Sequence, residues 1–406
     1  MIARQKKRNL IVVTWLLTVA LCVAGISLSY FYSEGALLIS VVTGICLVIL
    51  ALFDRVMRSS GGVPVLIYHS VSDDPSWLPW AWGTSITVQA FRQQLDVLKE
   101  KNYSVLSTSE LYRIKEKGEQ LPDKPVVLHF DDGYLDNFVA AAPLLKEYQI
   151  PASFYVSTGF IDPSSDIRSV LKSDEGVQWH GYMNCAELKT LDSDPLFEIE
   201  SHGVSHGKIV VSDSKIGVLT EHNWRFYSWL DWSKGKTTHN WYQNTALKCL
   251  AIGDSIPECD SELTGKKWNN GTQELDTEYE SRVKELLRDS KQQLEAILGR
   301  DVTQFCWPFD RVTPQSHAIA LDVGYKLTTG GKGSNLVHEP YDVVSRIHAC
   351  DYGWGWRWPW GEQLLFHAKL RLFQGNLYWL FLVSPANKLR KIRHKWSPIS
   401  YVGGQS

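Results

Sequence analysis

From residue 63 onward, short apolar runs alternate with segments in which apolar residues recur at helical spacing. Val65–Tyr68 and Pro125–Phe130 are apolar runs of strand length, whereas Phe91, Leu95 and Leu98 follow the helical period. Strands that alternate with helices predict parallel strands joined by helical crossovers, and this many strands over this length suit a barrel. We therefore predict an α/β fold, built as a distorted (β/α) barrel.

The stretch 208–276 interrupts this alternation, because its apolar residues follow neither period. It is rich in Asn, Gly, Ser and Thr and contains Trp224, Trp229, Trp232, Trp241 and Trp268. Long irregular segments inside compact domains are often functional loops. We predict a Trp-rich insertion that lies over the mouth of the barrel.

Two apolar runs precede the predicted barrel. Residues 10–32 contain no charged side chain, and a second apolar run covers 36–53. A run of this length can span a bilayer core of ~30 Å, whereas a signal peptide has a shorter apolar region followed by a small-residue cleavage site. The sequence therefore predicts a transmembrane helical hairpin within residues 1–58.

Basic residues flank both apolar runs, and the turn between the runs carries only Glu34. Arg4, Lys6, Lys7 and Arg8 precede the first run, and Arg55 and Arg58 follow the second. Loops rich in Lys and Arg tend to stay on the cytoplasmic side. The expected location is a bacterial-type inner membrane, with the cytoplasmic side favoured for everything after residue 58.

The C-terminal residues 349–406 form an aromatic and basic extension beyond the predicted domain at 63–348. Leu372–Val383 is rich in Leu, Phe, Tyr and Trp, and a basic cluster follows at 388–395. An apolar face with a basic end can bind an anionic membrane surface. A final core helix with a solvated, charged end fits the same pattern, so both interpretations stay open.

Charge and cysteine content exclude two classes of function. The 42 Lys and Arg and the 44 Asp and Glu give a formal net charge of -2, which argues against a nucleic-acid partner. The cysteines show no Cys-x-x-Cys spacing, so a thiolate zinc site is not expected. Cys249 and Cys259 could pair, but the sequence leaves this open.

Polar residues follow four predicted strands, at positions where folding alone does not require them. They are Tyr68-His69-Ser70, Asp131-Asp132-Gly133, His202-x-x-x-His206 and Trp307-Pro308-Phe309-Asp310. In parallel α/β folds the carboxyl ends of the strands gather at one mouth, where active sites lie. Two histidines and one carboxylate form the three-ligand pattern of catalytic zinc, which leaves a fourth position for water. The second carboxylate of the Asp131–Asp132 pair could act as a general base.

Each of these features alone has an ordinary structural explanation. An Asp-Asp-Gly segment is most often a turn, and a His-x-x-x-His pair is as often surface or core as metal-binding. The functional interpretation therefore depends on their occurrence together.

The same segments resemble a known family. Residues 129–134 (His-Phe-Asp-Asp-Gly-Tyr) are similar to the first motif of the NodB-type polysaccharide deacetylases, carbohydrate esterase family four. Residues 201–206 resemble the second, metal-binding motif, and these two motifs together are specific. Weaker similarities lie at 306–309 and 344–347, and residues 65–70 resemble the start of the subgroup that deacetylates poly-N-acetylglucosamine. The resemblance covers about residues 63–348, without most of 208–276, and implies a barrel of the NodB type.

The resemblance also implies a role for each matching residue. Asp132, His202 and His206 would bind a divalent metal, with Zn²⁺ expected. Asp131 would be the catalytic base, and His69 would protonate the departing amine. A backbone N–H near Tyr134 would stabilise the oxyanion, and Pro308, Phe309 and Arg346 would contact the substrate.

Three positions depart from the family pattern. His129 replaces the usual Thr, Gly203 replaces a Ser or Thr, and Asp310 stands where Gly is common. These departures leave the metal set intact and concern the surroundings of the substrate.

The sequence therefore predicts a metal-dependent hydrolase that removes N-acetyl groups from an N-acetylhexosamine-containing polysaccharide or glycolipid. Its expected partners are an N-acetylated glycan or lipid-linked sugar and membrane lipid. A catalytically silent glycan-binding protein on the same fold is the alternative. A metal-free glycosidase using Asp131 or Asp132 with Glu200 is disfavoured, because adjacent Asp side chains cannot readily flank a sugar at the ~5–9.5 Å that such enzymes need.

Overall fold

The fold is described from a computed structural model of the chain. The structure describes residues 61–171, 176–233, 238–269, 271–331 and 333–396, together with scattered positions between 13 and 46. The chain divides into two compact units, of which one comprises Val65–Asp351 and the other contains Tyr352–Pro398 with the residues up to Pro64. The domain boundaries predicted from the sequence stay predictions.

Strands and helices alternate through the first unit. The strands are β1 (Val65–Tyr68), β2 (Ser70–Val71), β3 (Ser85–Ile86), β4 (Ser104–Leu106), β5 (Pro125–Phe130), β6 (Ala152–Val156), β7 (Phe197–Ser201), β8 (Lys208–Val218), β9 (Ser255–Ser261), β10 (Trp268–Asn269), β11 (Thr272–Gln273), β12 (Gln304–Cys306), β13 (Leu327–Thr329), β14 (Val343–Val344) and β15 (Ile347–His348). Its α-helices are α1 (Ala81–Thr84), α2 (Val88–Glu100), α3 (Thr108–Lys117), α4 (Ala142–Tyr148), α5 (Cys185–Asp192), α6 (Trp229–Trp232), α7 (Asp276–Leu298) and α8 (Pro314–Val323), and the second unit contains α9 (Pro359–Phe373) and α10 (Leu380–Trp396).

The main sheet has the order β14-β13-β12-β7-β6-β5-β1-β15, with β4 paired to β5. Its neighbouring strands are parallel throughout. Parallel strands with helical crossovers are covered on both faces, which favours continuous apolar runs over alternation. In β5, every residue from Val126 to Phe130 is accordingly buried. The parallel α/β arrangement is consistent with the sequence expectation.

The two ends of this sheet belong to one short segment of the chain. β14 and β15 are separated only by Ser345 and Arg346, yet β14 pairs with β13 and β15 pairs with β1. Residues 343–348 therefore form both end strands of the sheet order, and Arg346 lies in the two-residue connection between these strands.

Helix α7 shows how local signals set the ends of an element. The sequence suggests a capping box at Thr277-x-x-Glu280, but the helix begins earlier, at Asp276. There the Glu278 carboxylate accepts from the Leu275 N–H at 3.1 Å, which satisfies one donor that the first helical turn leaves unpaired. The helix ends at Gly299 as expected, with φ of 73° in the left-handed region that glycine adopts freely.

The insertion at 208–276 is more ordered than its sequence suggests. β8 and β9 form an antiparallel hairpin with register shifts between Val210 and Gly217. Trp232 and Trp241 of the insertion pack onto the barrel through aromatic side chains, while Leu219, Leu230 and Ile256 form a cluster within the insertion itself. An aromatic cluster is formed by Trp77, Leu78, Ala81, Tyr134, Phe160, Tyr182, Trp232 and Trp241.

The expected transmembrane hairpin is not supported. Within the part of the chain that the structure describes, no helix combines the length and the apolar character needed to cross a bilayer. Much of the two predicted spans, at 10–32 and 36–53, lies outside the described residues. An apolar run indicates a span only when it forms one long helix, so the fold prediction is corrected on this point.

The second unit has a small core of its own. Leu365 and Ala368 of α9 pack with Val383 and Ala386 of α10, and Trp354 lies against this cluster. The segment before α9 is held by Glu362, whose carboxylate accepts from the backbone N–H groups of Gly353 and Trp354.

Candidate active site

The carboxyl ends of β1, β5, β7 and β12 meet at one cavity of about 340 Å³. Eight of the nine residues that the sequence proposes for the site line this cavity: His69, Asp131, Asp132, Tyr134, His202, His206, Phe309 and Arg346. Pro308 is buried and does not line it. The parallel topology accounts for this convergence, because successive crossovers return each strand with the same end at the same mouth.

Asp132, His202 and His206 form a compact three-ligand cluster. The Asp132 Oδ1 lies 3.3 Å from the His202 Nε2 and 3.4 Å from the His206 Nε2. Ligands about 2.0–2.2 Å from a tetrahedral zinc ion are about 3.3–3.5 Å from one another. The spacing of these three atoms therefore fits a divalent ion between them.

Hydrogen bonding orients the His202 ring toward such an ion. Its Nδ1 lies 2.9 Å from the Cys306 carbonyl oxygen, which can only accept, so Nδ1 carries the proton. Burial alone would lower the pKa of His202, but Cys306, Asp131 and Asp132 outweigh it and hold the pKa well above its ordinary value, so without an ion Nε2 shares a proton with the Asp132 carboxylate. An ion bound between the two residues would replace that proton, and the backbone partner of Nδ1 is the outer support typical of metal-binding histidines.

The histidines keep Asp132 ionised, whereas burial keeps His206 neutral. Burial alone would raise the pKa of Asp132, but His202 and His206 outweigh it and hold the pKa below its ordinary value. Burial lowers the pKa of His206 to about 4. A carboxylate and a neutral imidazole are the protonation states that bind a metal.

The backbone at this cluster adopts conformations that few residues tolerate. Asp132 has φ of 74° and His206 has φ of 48°, both in the left-handed region. Non-glycine residues held there cost ~1–3 kcal/mol each and occur often at functional sites. Gly133 has φ of 75°, and a Cβ at this position would lie 3.0 Å from the Val156 Cγ1.

Asp131 is held apart from the three-ligand cluster by Arg346. Both of its carboxylate oxygens accept from the Arg346 Nη1, at 2.8 and 2.9 Å. Burial alone would raise the pKa of Asp131, but Arg346, His202 and His69 reverse this and hold the pKa below its ordinary value. Asp131 is therefore a carboxylate at neutral pH, fixed by Arg346 beside the proposed metal position, and with His202 and Cys306 it forms a second group of side chains close enough to hold a metal ion.

Arg346 contacts a second carboxylate, that of Asp310. Its Nη2 and Nε donate to the Asp310 Oδ1 at 3.0 and 3.2 Å. The sequence suggests substrate contact for Arg346, whereas the structure places its guanidinium between two carboxylates. Asp310 is the residue that departs from the usual Gly, and with φ of 57° it keeps the left-handed backbone in which glycine is common.

His69 is a second basic neighbour of Asp131. Its Nε2 is 4.0 Å from the Asp131 Oδ2, and its ring stacks on that of His348 with centroids 5.9 Å apart. Burial, with help from His69 and Arg346, lowers the pKa of His348 to about 4. His348 is thus a neutral neighbour that covers one face of the His69 ring.

Tyr134 and Tyr182 form an isolated antiparallel β-bridge whose hydrogen bonds do not involve the Tyr134 N–H. The bridge is antiparallel, and its hydrogen bonds join Leu135 N–H to the Gly181 carbonyl and Met183 N–H to the Gly133 carbonyl. In such a non-hydrogen-bonded antiparallel pair, the N–H and C=O groups of the two paired residues point away from each other. The N–H of Tyr134 is therefore not consumed by the bridge.

Aromatic side chains form most of the remaining wall. Trp80, Phe160 and Tyr182 line the cavity together with Trp229 and Trp232 of α6, which belongs to the insertion. The Phe309 ring packs against His206, with centroids 4.4 Å apart. Phe309 thus contacts a proposed metal ligand and the cavity at once.

Three residues at the site have functions that the sequence did not single out. The Cys306 Sγ lies 3.5 Å from the Asp131 Oδ1 and its carbonyl orients His202, Asp310 fixes Arg346, and His348 stacks on His69. The sequence gives a partial indication of two of them, because Cys306 and Asp310 flank the Trp-Pro-Phe segment. His348 is the second residue of β15, two positions after Arg346.

The segment 203–207 also has the Gly-x-Ser-x-Gly spacing of a serine-hydrolase elbow. Such an elbow connects a strand to a helix and exposes the serine hydroxyl. Here the segment leads into strand β8, and the Ser205 hydroxyl donates to the Glu262 carboxylate. The local structure is therefore not that of a nucleophile elbow.

Comparisons with known proteins agree with this geometry. Residues 118–245 match a family model described as polysaccharide deacetylase. The chain is similar to poly-beta-1,6-N-acetyl-D-glucosamine N-deacetylases of Escherichia coli K12 (28% identity over 141 residues, 35% of this chain and 20% of that protein) and Staphylococcus epidermidis (36% over 77 residues, 19% and 26%). It thus spans about a fifth to a quarter of these relatives.

Solved structures show the same fold. A de-N-acetylase from Aggregatibacter actinomycetemcomitans superposes with a TM-score of 0.51 at 20% identity, over 70% of this chain and 94% of that one. A deacetylase domain from Bordetella bronchiseptica gives 0.50 at 19% identity, over 72% and 97%. The fold is therefore that of these deacetylases, and the match at residues 118–245 confirms the predicted resemblance to the polysaccharide deacetylase family.

Proposed function

We propose that this chain, which carries a polysaccharide deacetylase domain, is a metal-dependent carbohydrate N-deacetylase that hydrolyses the acetamide of an N-acetylhexosamine. One observation supports this most directly: a three-ligand cluster and a separately held carboxylate share one cavity. The Asp132 Oδ1 lies 3.3 Å from the His202 Nε2, while Asp131 is bound by Arg346. A glycan-binding protein without activity has no need of that second carboxylate.

Asp132, His202 and His206 are the residues proposed to hold a divalent ion, with Zn²⁺ expected from two imidazoles and one carboxylate. When bound, such an ion polarises a carbonyl oxygen and lowers the pKa of water. The proposal rests on the spacing of the three ligand atoms and on the orientation of His202 by the Cys306 carbonyl.

The chain's own residues provide the proton transfers. Asp131 is proposed as the base that accepts a proton from the attacking water. Its two oxygens accept from Arg346 and still have lone pairs available, because each carboxylate oxygen can accept more than one hydrogen bond. His69, which lines the same cavity with its Nε2 4.0 Å from the Asp131 Oδ2, is proposed to donate a proton to the departing nitrogen. The free backbone N–H of Tyr134 is proposed to stabilise the carbonyl oxygen as charge develops on it.

The cavity walls suit a sugar. Trp80, Trp229 and Trp232 present aromatic surface on which the apolar face of a hexosamine ring can pack. The relatives named above are called deacetylases of poly-beta-1,6-N-acetyl-D-glucosamine. We propose an N-acetylated glycan or a lipid-linked N-acetyl sugar as the substrate class.

The test measures acetate release by the zinc-loaded full chain from N-acetylglucosamine oligomers. Asp131→Asn should lower kcat by ~10²–10⁴-fold, which is the usual contribution of a general base, and should leave bound zinc unchanged. Asp123→Asn, at an exposed position, is the matched control. Oligomer binding by the zinc-loaded chain without any acetate release would instead indicate the silent glycan-binding protein.

His69 has a sharper test, because its role depends on the leaving group. His69→Ala should reduce hydrolysis of an acetamide by ~10²–10⁴-fold and hydrolysis of an aryl acetate much less, since an aryloxide departs without protonation. His222→Ala, in the exposed part of the insertion, serves as the control. Equal losses on amide and ester in a folded, zinc-loaded variant would remove His69 from the mechanism.

A further inference from the structure

The second unit exposes apolar side chains on two neighbouring segments. These are Trp356 (39% exposed) and Trp360 (62%) before and at the start of α9, and Leu389 (38%) and Ile392 (51%) on α10. We call this surface, together with the basic residues at 388–395, the aromatic–basic face. Single exposed apolar residues are common on proteins, so its significance depends on how the four are arranged and on what surrounds them.

Helix α10 is amphipathic on its solvent-exposed side. Leu389 and Ile392 are three positions apart and lie on one side of the helix. Lys388, Lys391 and Lys395 follow the same spacing on the adjacent side, and all three are exposed. The exposed half of the helix thus carries an apolar stripe bordered by lysines, a pattern typical of helices that lie in a membrane interface.

The tryptophan segment lies against this part of α10. Gly355 packs on the helix so closely that a Cβ there would come within 3.2 Å of both the Arg390 Cα and the Arg393 Cβ. Trp356 follows directly, and the Trp358 and Trp360 rings are 4.0 Å apart between centroids. The tryptophan segment therefore begins against the side of α10 that carries Arg390 and Arg393, next to the apolar stripe in the helical order.

The charge of this region differs sharply from that of the whole chain. Residues 363–406 contain 7 Lys and Arg and no Asp or Glu, whereas the full chain has a formal net charge of -2. Tryptophan favours the interface between lipid and water, and clustered basic residues bind anionic headgroups. The combination of both on one surface is complementary to an anionic bilayer.

We propose that the aromatic–basic face binds peripherally to the surface of an anionic lipid bilayer. Trp356, Trp360, Leu389 and Ile392 enter the headgroup region, and the lysines of α10 contact anionic headgroups. A polyanion such as nucleic acid would use the lysines but offers no apolar layer for Leu389 and Ile392. The attachment is independent of deacetylase activity, and neither requires the other.

The test uses the full chain and vesicles of phosphatidylcholine with or without 30% phosphatidylglycerol. We expect sedimentation with the anionic vesicles that weakens as salt increases. K388E/K391E/K395E should lower the partition coefficient roughly 100-fold, since each basic residue near an anionic surface contributes about fivefold. The control is K99E/K101E/K117E, at three exposed lysines of the other unit.

A second pair of variants tests the apolar contribution. W360S/I392S should weaken binding to anionic vesicles, whereas F226S/I216S, at exposed apolar positions of the insertion, should not. Hydrogen exchange should show slower exchange in peptides from 384–396 when anionic vesicles are added. This readout is local, so it separates the aromatic–basic face from the apolar runs near the N-terminus.

Three outcomes would overturn the proposal. Binding that is equal on both vesicle types and insensitive to K388E/K391E/K395E would show that another part of the chain binds lipid. Unchanged exchange in 384–396 on vesicle addition would show that the face is covered by the chain itself. Binding to DNA that W360S/I392S leaves unchanged, without binding to vesicles, would indicate a polyanion as partner.

Discussion

Replacing Arg346 tests whether one guanidinium neutralises the buried carboxylate of Asp131, the proposed base. Its side chain is 1% exposed, and that of Asp131 is 3% exposed. Arg346→Met keeps much of the volume and removes the charge and both hydrogen bonds to Asp131. Breaking a buried ion pair by removing one partner typically costs ~3–5 kcal/mol, because the remaining charge is left without compensation.

The size of the effect follows from burial. The Asp310 side chain is 26% exposed and can be solvated when Arg346 is lost, so most of the cost should come from Asp131. In a unit of this size, 1 kcal/mol shifts Tm by about 2–4 °C, so we expect a decrease of about 6–20 °C. The measurement is thermal unfolding by circular dichroism in EDTA, so that metal binding does not contribute.

A double variant separates charge from packing. Asp131→Asn combined with Arg346→Met removes both charges, and it should recover at least half of the lost stability because a neutral amide needs no counter-ion. If the double variant is no more stable than Arg346→Met alone, the loss is due to packing, and the assigned role of the ion pair is wrong.

The pH dependence has a defined sign. In the parent protein, Arg346 holds the pKa of Asp131 low, so this stabilisation is present above the ordinary Asp pKa of ~3.9 and is lost only as the pH falls through the folded value. In Arg346→Met, burial raises the pKa of Asp131 without opposition from Arg346, so protonation relieves the variant as the pH falls. The difference in Tm between the two proteins should therefore be smaller at pH 5 than at pH 8. A difference that is constant over this range would contradict the account.

Three further predictions concern the metal, the turn and the wall of the cavity. His202→Ala should lower bound zinc per chain, measured by atomic emission after dialysis, and full retention after replacement of Asp132, His202 and His206 together would refute the ligand set. Gly133→Ala should lower the free energy of unfolding in urea by about 1–2 kcal/mol, since its left-handed backbone disfavours a Cβ; an unchanged midpoint would contradict this. Trp232→Ala should raise KM for N-acetylated oligomers more than it lowers kcat, and the reverse ratio would place Trp232 in chemistry rather than in binding.

The sequence was sufficient for the parts of the site that depend on local order. Asp131 and Asp132 follow a buried strand directly, and His202 and His206 follow another, so the parallel topology alone brings them together. The barrel-type alternation and the end of α7 at Gly299 were predictable for the same reason, since each depends on a few neighbouring residues.

The partner of Asp131 was not predictable in this way. Arg346 lies 215 positions away in the sequence, and their contact exists only because 343–348 joins both ends of the sheet. No local period signals such a pairing. The sequence alone left Arg346 among the residues expected to contact the substrate.

The insertion and the two N-terminal apolar runs show two other reasons why the pattern of apolar residues did not predict the structure. The second half of β8 is exposed from Asp213 to Val218. Because neither face of the strand is buried there, its side chains need not alternate between apolar and polar. Backbone pairing with β9 holds this part of the strand, and such pairing leaves no pattern in the sequence. In the N-terminal region, hydropathy measures only the character of the side chains. Whether they form one long helix depends on more than composition.

The joining of the sheet by 343–348 has a consequence for the order in which a growing chain becomes complete. Asp132, His202 and His206 all precede residue 207, so a nascent chain carries the whole proposed ligand set more than a hundred residues before it carries Arg346. A fragment that ends before Val343 would possess these three residues but neither the strands that join the sheet nor the guanidinium that binds the proposed base. Synthesis of residues 343–348 therefore supplies two things together: the strands that connect the two ends of the sheet, and the arginine that pairs with Asp131.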